Sequence, residues 1–326
     1  MVEPVQQSAA VSAVIPLYNK AAHIRRALDS VLGQSFAGFE LIVVDDGSTD
    51  RGGDFVREYK DKRVRLIRQE NAGVSAARNR GIAEARAPWI AFLDADDAWK
   101  SRFLERAMAA IENNDHVDVV FTGLSEPGQS SSHFPASVRE GPVDDYLDFF
   151  VTHRGAGLHP STVVVRKTIL DRVGAFPVGI RHGEDIDCWT RLALGDAMFY
   201  CIPEALATYH TDATNRAMND DPREYCYCHE PILASCSRLM ATEGIPHRLA
   251  GSVERFVQFM LLRHSKMLVD AGLHPESRRV LRTQCNPSVC GWNRYIRAYL
   301  RASAPPSFLT VARQAGRRFR SSRRAS

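Results

Sequence analysis

Short apolar runs alternate with amphipathic segments over the first hundred residues of the chain. Compact runs that predict buried strands occur at 11–17, 40–44, 64–67 and 89–93. Between them, apolar residues recur every three to four positions over 23–32 and 73–85, which predicts helices. Asn19 is expected to cap the first helix and Gly33 to end it. Strands that alternate with helices predict right-handed crossovers and a largely parallel sheet.

A further helical pattern occupies the C-terminal third of the chain. Apolar residues recur at helical spacing from Leu249 to Leu268, and Gly272 closes the segment. We expect this amphipathic helix to pack on the α/β body of the protein, because its apolar side needs a surface to cover.

The composition is that of an ordinary globular protein. Of 326 residues, 44% are hydrophobic and 25% are charged, which argues against disordered, collagen-like and coiled-coil chains. The length suggests roughly two domains. No apolar run reaches the roughly 18 residues of a membrane-spanning helix, and residues 1–10 lack the pattern of a secretory signal. We therefore expect a cytoplasmic protein with a disordered N-terminus at 1–10.

The seven cysteines predict reduced thiols rather than disulfides, since their number is odd and the chain is long. Cys226, Cys228 and His229 lie close together in sequence, as the ligands of a zinc site do. No second ligand pair follows at the spacing that such a site requires. Structural thiols are therefore the preferred interpretation.

Three carboxylates follow directly after the fourth predicted strand: Asp94, Asp96 and Asp97. Carboxylates this close repel one another unless a counter-charge is present. Mg²⁺ and Mn²⁺ prefer oxygen ligands together with substrate phosphates, so the segment predicts a divalent metal site. The alternative is a solvated acidic turn. Asp45 and Asp46 favour the metal site, because they form a second acidic turn at a neighbouring strand end, where open α/β sheets bind ligands.

The turn at Asp45 and Asp46 has two interpretations of its own. Asp, Gly and Ser suit a turn that precedes a helix. Alternatively, one carboxylate accepts a hydrogen bond from a nucleotide base or a ribose. The glycine patterns of dinucleotide-binding and P-loop proteins are absent from the sequence. Gly155 and Gly157 supply two glycines, but Pro160 stands where the third belongs.

Four motifs occur in order: Ala13-Val-Ile-Pro-Leu-Tyr-Asn19, Leu41-Ile-Val-Val-Asp-Asp-Gly-Ser-Thr-Asp50, Asn71-Ala-Gly-Val-Ser-Ala-Ala-Arg-Asn79 and Phe92-Leu-Asp-Ala-Asp-Asp-Ala-Trp99. Together they resemble the nucleotide-sugar-binding half of family 2 glycosyltransferases of the bacterial cell-surface polysaccharide type. The resemblance continues through 161–166, 183–189 and 209–216, and thus covers roughly residues 11–216.

The resemblance implies the α/β, A-type glycosyltransferase fold, with a mostly parallel mixed sheet flanked by helices and a helical C-terminal extension. The catalytic domain is expected at 11–216, with a donor half at 11–100 and an acceptor half at 101–216. A helical region at 217–303 and a basic tail at 304–326 would follow.

The resemblance also implies donor-site roles, position by position. Pro16 and Tyr18 would hold the nucleoside, with Tyr18 flanking the base, and Asp46 would accept its ring N–H. Asp45 would assist at the ribose, and Arg78 would lie near the phosphates or the acidic cluster. The Asp-x-Asp segment of this donor site consists of Asp94, Ala95 and Asp96.

A divalent cofactor, Mn²⁺ or Mg²⁺, is part of the same implication. Asp96 would be the direct ligand, with Asp94 beside it. His210 would contact the metal or the diphosphate, and a packed or solvent-facing histidine is the alternative there. A bound metal would neutralise the charge that develops on the departing nucleoside diphosphate.

The implied reaction moves a sugar from a nucleotide-diphospho-sugar to a hydroxyl of a glycan or lipid-linked acceptor, with inversion at the anomeric carbon. UDP is favoured as the leaving group over dTDP or GDP. Glu184 and Asp185 match the acidic pair that supplies the catalytic base, and Asp185 is favoured. Trp189 would line the acceptor side. A positioned base of this kind contributes about 10²–10⁴ in rate.

Two other classes of protein share some of these features. Phosphatases and phosphomutases with an aspartyl nucleophile also have a strand that ends in Asp-x-Asp, but they carry Thr or Val where this chain has Ala98. A non-catalytic sugar-nucleotide-binding protein would keep the donor motifs without the base, and the pair Glu184 and Asp185 argues against it.

Charge is distributed unevenly along the chain. Twelve arginines and no acidic residue follow Glu276, so the +4 protein consists of a body of charge −8 and a basic end. Residues on one helical face of the tail are Phe308, Ala312, Ala315 and Phe319. This pattern is typical of a segment that lies on an anionic membrane, here the inner face of the cell membrane, and a solvated tail is the alternative. Nucleic-acid binding is not expected, because the body is acidic and has no reader motif.

Overall fold

A central sheet carries the fold in the computed structural model, which describes residues 9–213, 229–242 and 244–303. Its strands are β1 (Val11–Leu17), β2 (Phe39–Asp46), β3 (Val64–Gln69), β4 (Trp89–Phe92), β5 (Ala98–Trp99), β6 (Val119–Ser125), β7 (Gly141–Val143), β8 (Val163–Arg166) and β9 (Phe199–Thr208). The four strands predicted from apolar runs are confirmed as β1 to β4.

Helices connect these strands and continue beyond them. Those between strands are α1 (Ile24–Leu32), α2 (Gly52–Glu58), α3 (Val74–Glu84), α4 (Phe103–Glu112), α5 (Tyr146–Thr152), α6 (Lys167–Val173) and α7 (Glu184–Leu194). The later ones are α8 (His229–Thr242), α9 (Ala250–Asp270), α10 (His274–Thr283), α11 (Pro287–Cys290) and α12 (Trp292–Ser303).

The strand order is β3-β2-β1-β4-β8-β6-β9-β5, and β7 pairs with β9. Strands β1 to β4 run parallel to one another, whereas β8 is antiparallel to both of its neighbours, β4 and β6. The sheet is therefore mixed: β1 to β4 form a parallel part in the donor half, and β6 and β9 form a second parallel pair. In that part, Leu17 pairs with Asp45 and Val14 with Phe92, so the carboxyl ends of three strands reach one edge.

Two hydrophobic cores lie on opposite faces of the sheet. Along β1, Val14 packs into one core, while Ala13 and Ile15 pack into the other. Every residue of β1 is buried, because helices cover both faces. This double burial explains why the central strands are continuous apolar runs in the sequence rather than alternating ones.

The long C-terminal helix α9 packs into the same core as Val14, as its apolar spacing predicts. The ring of Phe150 in α5 lies 5.6 Å from that of Phe256 and 5.8 Å from that of Phe259, both in α9. Arg255 of α9 also pairs with Asp148 of α5 at 2.6 Å. The long helix is therefore attached to the body by both apolar and ionic contacts.

Some details differ from the sequence-based expectations. Asn19 does not cap α1, which begins after His23; its side chain binds the turn after β2 instead. Five cysteines are free thiols, whereas Cys226 and Cys228 lie outside the described residues, as do 1–8 and the basic tail. Within the described ranges, no helix combines the length and apolarity that crossing a bilayer requires.

Truncation of Phe256 tests whether α9 and the body share one core. We expect Phe256→Ala to lower the free energy of unfolding by about 3–5 kcal/mol, because it leaves a cavity in a fully buried position. Chemical denaturation should still show one transition. Glu254→Ala, an exposed change in the same helix, should have little effect. Two separate transitions in the wild-type protein would contradict a shared core.

Candidate functional site

The loops after β1 and β2 are fastened to each other. Asn19 has a left-handed backbone with φ of 51°, which Asn tolerates better than most residues. Its side-chain oxygen accepts a hydrogen bond from the Thr49 N–H at 2.8 Å, and its own N–H donates to Ser48 Oγ at 3.1 Å. Asp45 in turn accepts from the Ser48 N–H at 2.9 Å. The loop is thereby held so that Tyr18 stays 44% exposed at its tip.

Both residues predicted to hold the nucleoside at the ends of β1 and β2, Pro16 and Asp46, are buried. Pro16 is buried within β1 opposite Val44. Asp46 is also buried, and it accepts hydrogen bonds from the side chain of Gln69 at 2.8 Å and from the N–H groups of Ala72 at 3.0 Å and Gly73 at 2.8 Å. A carboxylate has about four acceptor positions. Three are thus used to hold the loop before α3, and one remains for a ligand.

The buried guanidinium of Arg78 connects the acidic segment after β4 with the acidic start of α7. Arg78 of α3 donates to Asp94 Oδ1 at 2.8 Å and to Glu184 Oε1 at 2.9 Å, and it lies 5.1 Å from the ring centroid of Phe176. Burial opposes its charge, but the carboxylates of Asp94 and Glu184 raise the pKa of Arg78 further above its usual value. The end of β4 and the start of α7 are therefore joined electrostatically, although 90 residues separate them in sequence.

Ser161 joins the acidic loop to the segment before β8. Its hydroxyl donates to Asp97 Oδ2 at 2.6 Å and accepts from the Asp94 N–H at 3.2 Å, and its carbonyl accepts from Trp99 Nε1 at 2.8 Å. The side chain of His159 caps the same short turn by accepting from the Ser161 N–H at 3.2 Å. These bonds fix the positions of both Asp94 and Asp97.

The loop that contains Asp94, Asp96 and Asp97, together with His159 beside it, forms an acidic corner of the sheet whose ligand chemistry fits a divalent cation. Among the described residues, ligand atoms of Asp94, Asp97 and His159 lie within 4.8 Å of one another. Burial opposes ionisation of Asp94, but the positive charges of Arg78 and His159 lower its pKa below the usual value. For Asp97, burial and the negative charge of Asp94 raise the pKa well above its usual range. Two carboxylates that compete for ionisation in this way are a suitable oxygen donor set for Mg²⁺ or Mn²⁺.

Asp96 and His210, the other predicted metal contacts, are close to this group but have other partners. Asp96 Oδ2 accepts from Lys20 Nζ at 2.6 Å, and both side chains are largely buried. The backbone N–H of His210 donates to Asp97 Oδ1 at 3.0 Å. Strand β5 pairs with the end of β9, which brings His210 to the acidic loop. The metal roles of Asp96 and His210 stay predictions.

The second acidic cluster begins α7. Gly183, with φ of 80°, precedes the helix, and Glu184 and Asp185 occupy its first positions. Glu184 forms an ion pair with Arg78. Asp185 instead accepts a hydrogen bond from the neighbouring Ile186 N–H. Burial and the charge of Glu184 raise the pKa of Asp185 to about 7. The two adjacent carboxylates are thus electrostatically different.

Trp189 does not lie where an acceptor-side residue would be expected. It is fully buried, with its ring 5.5 Å from that of Phe176 and 6.4 Å from that of Phe92. Its position supports α7 from inside the core, and this corrects the prediction that it lines the acceptor side. Ala95 is buried too, so only its backbone can approach a ligand.

Sequence reasoning missed several residues that organise the site: Lys20, His159 and Ser161. Lys20 directly follows the first motif, and His159 and Ser161 directly precede the apolar run of β8. Their places beside strand ends were the available signal. A lysine, a histidine and a serine are too common in loops for that signal to be specific.

The family model for glycosyl transferase family 2 matches residues 12–174, half of the chain. EpsJ of Bacillus subtilis, an uncharacterised glycosyltransferase, is 40% identical over 116 residues, covering 35% of this chain and 33% of EpsJ. An uncharacterised glycosyltransferase of Nostoc is 30% identical over 224 residues, covering 64% of this chain and 67% of the relative. The chain belongs to glycosyl transferase family 2. It spans only about a third of EpsJ and of a similar protein from Rickettsia felis.

Solved structures show the same fold. TarS of S. aureus, residues 1–349, superposes with a TM-score of 0.65 at 20% identity, covering 89% of this chain and 80% of TarS. The mannosyltransferase PcManGT of Pyrobaculum calidifontis, in complex with GDP-Man and Mn²⁺, gives a TM-score of 0.59 at 18% identity, covering 95% and 81%. The expected A-type glycosyltransferase fold is confirmed.

Replacement of Arg78 tests its role as the link between the clusters. We expect Arg78→Met to lower the free energy of unfolding by about 3–5 kcal/mol, because it leaves the buried Glu184 and the partly exposed Asp94 without their counter-charge. Arg80→Met in the same helix is the matched control, since Arg80 is 52% exposed and pairs with Glu84 at the surface. Equal stability of the two variants in denaturant titrations at pH 7 would contradict this role.

Proposed function

We propose that the protein is a metal-dependent, inverting glycosyltransferase that moves a sugar from a nucleotide-diphospho-sugar to a hydroxyl of a glycan or lipid-linked acceptor in polysaccharide biosynthesis. The observation that carries the proposal is the Arg78 bridge, which brings the Asp-x-Asp corner and the acidic start of α7 to one place. Family membership supports the reaction class. A TarS structure of the same fold in complex with UDP-GlcNAc supports the donor type.

Asp185 is the proposed catalytic base. A base that takes a proton from an acceptor hydroxyl works best with a pKa near the operating pH and without a permanent ion pair. Asp185 has a pKa of about 7, while Glu184 is held by Arg78. Removal of the proton by Asp185 as the hydroxyl attacks the anomeric carbon would form the new glycosidic bond and release the nucleoside diphosphate from the opposite face.

The acidic corner is the proposed end of the site that receives the diphosphate. Asp94 and Asp96 would hold the divalent ion, and Asp97 and His159 lie close enough to Asp94 to share it. When bound, such a metal supplies Lewis-acid neutralisation of the leaving diphosphate. Arg78 keeps Asp94 ionised and positioned beside the corner, and Lys20 adds a positive charge at its rim.

The loop tips hold the nucleoside in this proposal. Tyr18 offers an exposed ring on which a base can stack, and Asp46 keeps one acceptor position for a ring N–H. Uracil is favoured as the base, and thymine or guanine could satisfy the same contact. Asp45 would assist at the ribose, although its Oδ1 already accepts a hydrogen bond from the Ser48 N–H.

The pH dependence of transfer tests Asp185. Because the ionised carboxylate is the active form and its pKa is about 7, kcat/KM should rise with pH through about 7 and level off above it. Asp185→Asn should reduce kcat by about 10²-fold or more while leaving the affinity for the nucleoside diphosphate nearly unchanged. Initial rates of UDP release with an acceptor panel, together with calorimetric nucleotide binding, provide both measurements.

Asp171→Asn, a change at an exposed position of the preceding helix, is the control for Asp185→Asn. It should leave both the rate and the shape of the pH profile unchanged. Normal turnover by Asp185→Asn, or a profile that falls as the pH rises through 7, would contradict the assignment of the base.

A thermal-shift series tests the donor class and the metal together. We expect one nucleoside diphosphate among UDP, dTDP and GDP to raise the melting temperature much more with Mn²⁺ than without it. Asp96→Asn should abolish the metal-dependent part of the increase, because it removes the proposed ligand. Asp54→Asn, an exposed carboxylate of α2, should retain it. If Asp96→Asn also retained it while Asp97→Asn lost it, Asp97 rather than Asp96 would be the ligand.

A further inference from the structure

Helix α12 presents an apolar stripe to solvent, formed by Trp292, Ile296 and Leu300. These side chains are 60%, 47% and 63% exposed. They recur every four residues, so they lie along one side of the helix. In the described part of the chain, only two other large hydrophobic residues, Tyr18 and Val178, are exposed. The concentration on one helix distinguishes this stripe from the scattered apolar residues of ordinary protein surfaces.

A neighbouring side of α12 is well anchored. Ala302 is fully buried, and Tyr295 and Tyr299 pack in a small core that includes residues of α9 and α10. Arg278 of α10 donates to the Ala302 carbonyl at 2.9 Å, and Arg282 donates to the hydroxyl of Tyr299. The helix therefore already buries one face, and the apolar stripe continues that face out to solvent, since the ring of Trp292 lies 6.2 Å from that of Tyr295.

Positive charge borders the apolar stripe. Arg297 is exposed and lies one turn from Leu300 on the same helix, and Arg282 of α10 contacts Tyr299, which borders the other side of the stripe. Arg294 and Arg301 are exposed too, but at about 100° per residue they lie on the far side of α12 from Ile296. Residues 277–303 contain six arginines and no acidic residue, and the following residues, 304–326, contain six more.

We propose that α12 lies on the surface of an anionic phospholipid membrane. Trp292, Ile296 and Leu300 would enter the boundary between headgroups and acyl chains, and Arg297 and Arg282 would contact lipid phosphates. A basic helix with Trp and aliphatic residues on one side binds membranes in this way. This partner adds to the proposed sugar transfer and does not depend on it.

Charge argues against the other occupants of the apolar stripe. A second copy of the chain packed on this face would bring together two C-terminal regions that each hold six arginines and no acidic residue, and the chain's own tail is basic as well. A nucleic acid would match the charge but offers no apolar phase for Ile296 and Leu300. An anionic lipid surface satisfies both the apolar and the charged groups.

Tryptophan fluorescence gives a direct test in the full-length protein. Three of the four tryptophans, Trp89, Trp99 and Trp189, are at most 5% exposed, so a change in the environment on binding would report Trp292. With vesicles of phosphatidylcholine and phosphatidylglycerol, we expect the emission maximum to move to shorter wavelength and acrylamide quenching to fall. Vesicles of phosphatidylcholine alone should cause much smaller changes.

Two variants and two controls separate α12 from the basic tail. Ile296→Ser with Leu300→Ser keeps Trp292 as the reporter and should weaken vesicle binding by about tenfold or more, because two apolar side chains no longer enter the membrane. Arg297→Gln should weaken binding about fivefold and reduce its salt dependence, whereas Arg294→Gln, on the far side of the helix, should have a smaller effect. Val178→Ser, at a 61% exposed position elsewhere, should bind like the wild type.

Three results would overturn the proposal. The first is an unchanged Trp292 signal with anionic vesicles, even if the protein sediments with them through its tail. The second is equal vesicle binding by the wild type and by Ile296→Ser with Leu300→Ser. The third is a wild-type dimer in light scattering that the same double variant converts to monomer without any vesicle effect, which would make the stripe a subunit interface.

Discussion

The structure of the site depends on a positive charge buried where two acidic segments meet. Arg78 has almost no exposed surface, and of the two carboxylates beside it Glu184 is buried and Asp94 is only partly exposed, so water screens their charges poorly. Without the guanidinium, Asp94 and Glu184 would repel each other across the gap between β4 and α7. With it, the two segments attract, and the aromatic ring of Phe176 covers the guanidinium from a third direction. The same residue therefore stabilises the fold and sets the electrostatics of the proposed site.

Hydrogen bonds to backbone groups hold the rest of the site in place. Asp46 binds the loop that begins α3, Asn19 binds the turn after β2, and Ser161 binds the loop that contains Asp94 and Asp97. Each bond joins elements that are distant in sequence and adjacent at the strand ends. The ligand-binding edge is consequently a set of loops fixed to one another, and side chains such as Tyr18 project from a rigid base.

The sequence predicted the parallel half of the fold well, because buried central strands and amphipathic helices differ in their period. It predicted less well the positions where contacts with distant parts of the fold decide what a side chain binds. Asn19 has the right chemistry for a helix cap, but the turn at 48–50 competes for its side chain. Trp189 follows the acidic pair by only four positions, and the helical turn directs it into the core. The pairing of Arg78 with Glu184 depends on how α3 lies relative to α7, which no local pattern of residues encodes.

The ion pair between Lys20 and Asp96 has a consequence for the choice of cation. Asp96 already has one unit of positive charge 2.6 Å away, supplied by the protein itself. A sodium or potassium ion that took the place of the ammonium would bring no additional charge, and it would have to lose part of its hydration shell. A doubly charged ion gains more from the surrounding carboxylates than the lysine does. If Asp96 holds the proposed metal, a tethered amine of this kind would act as an intramolecular competitor that favours divalent over monovalent ions.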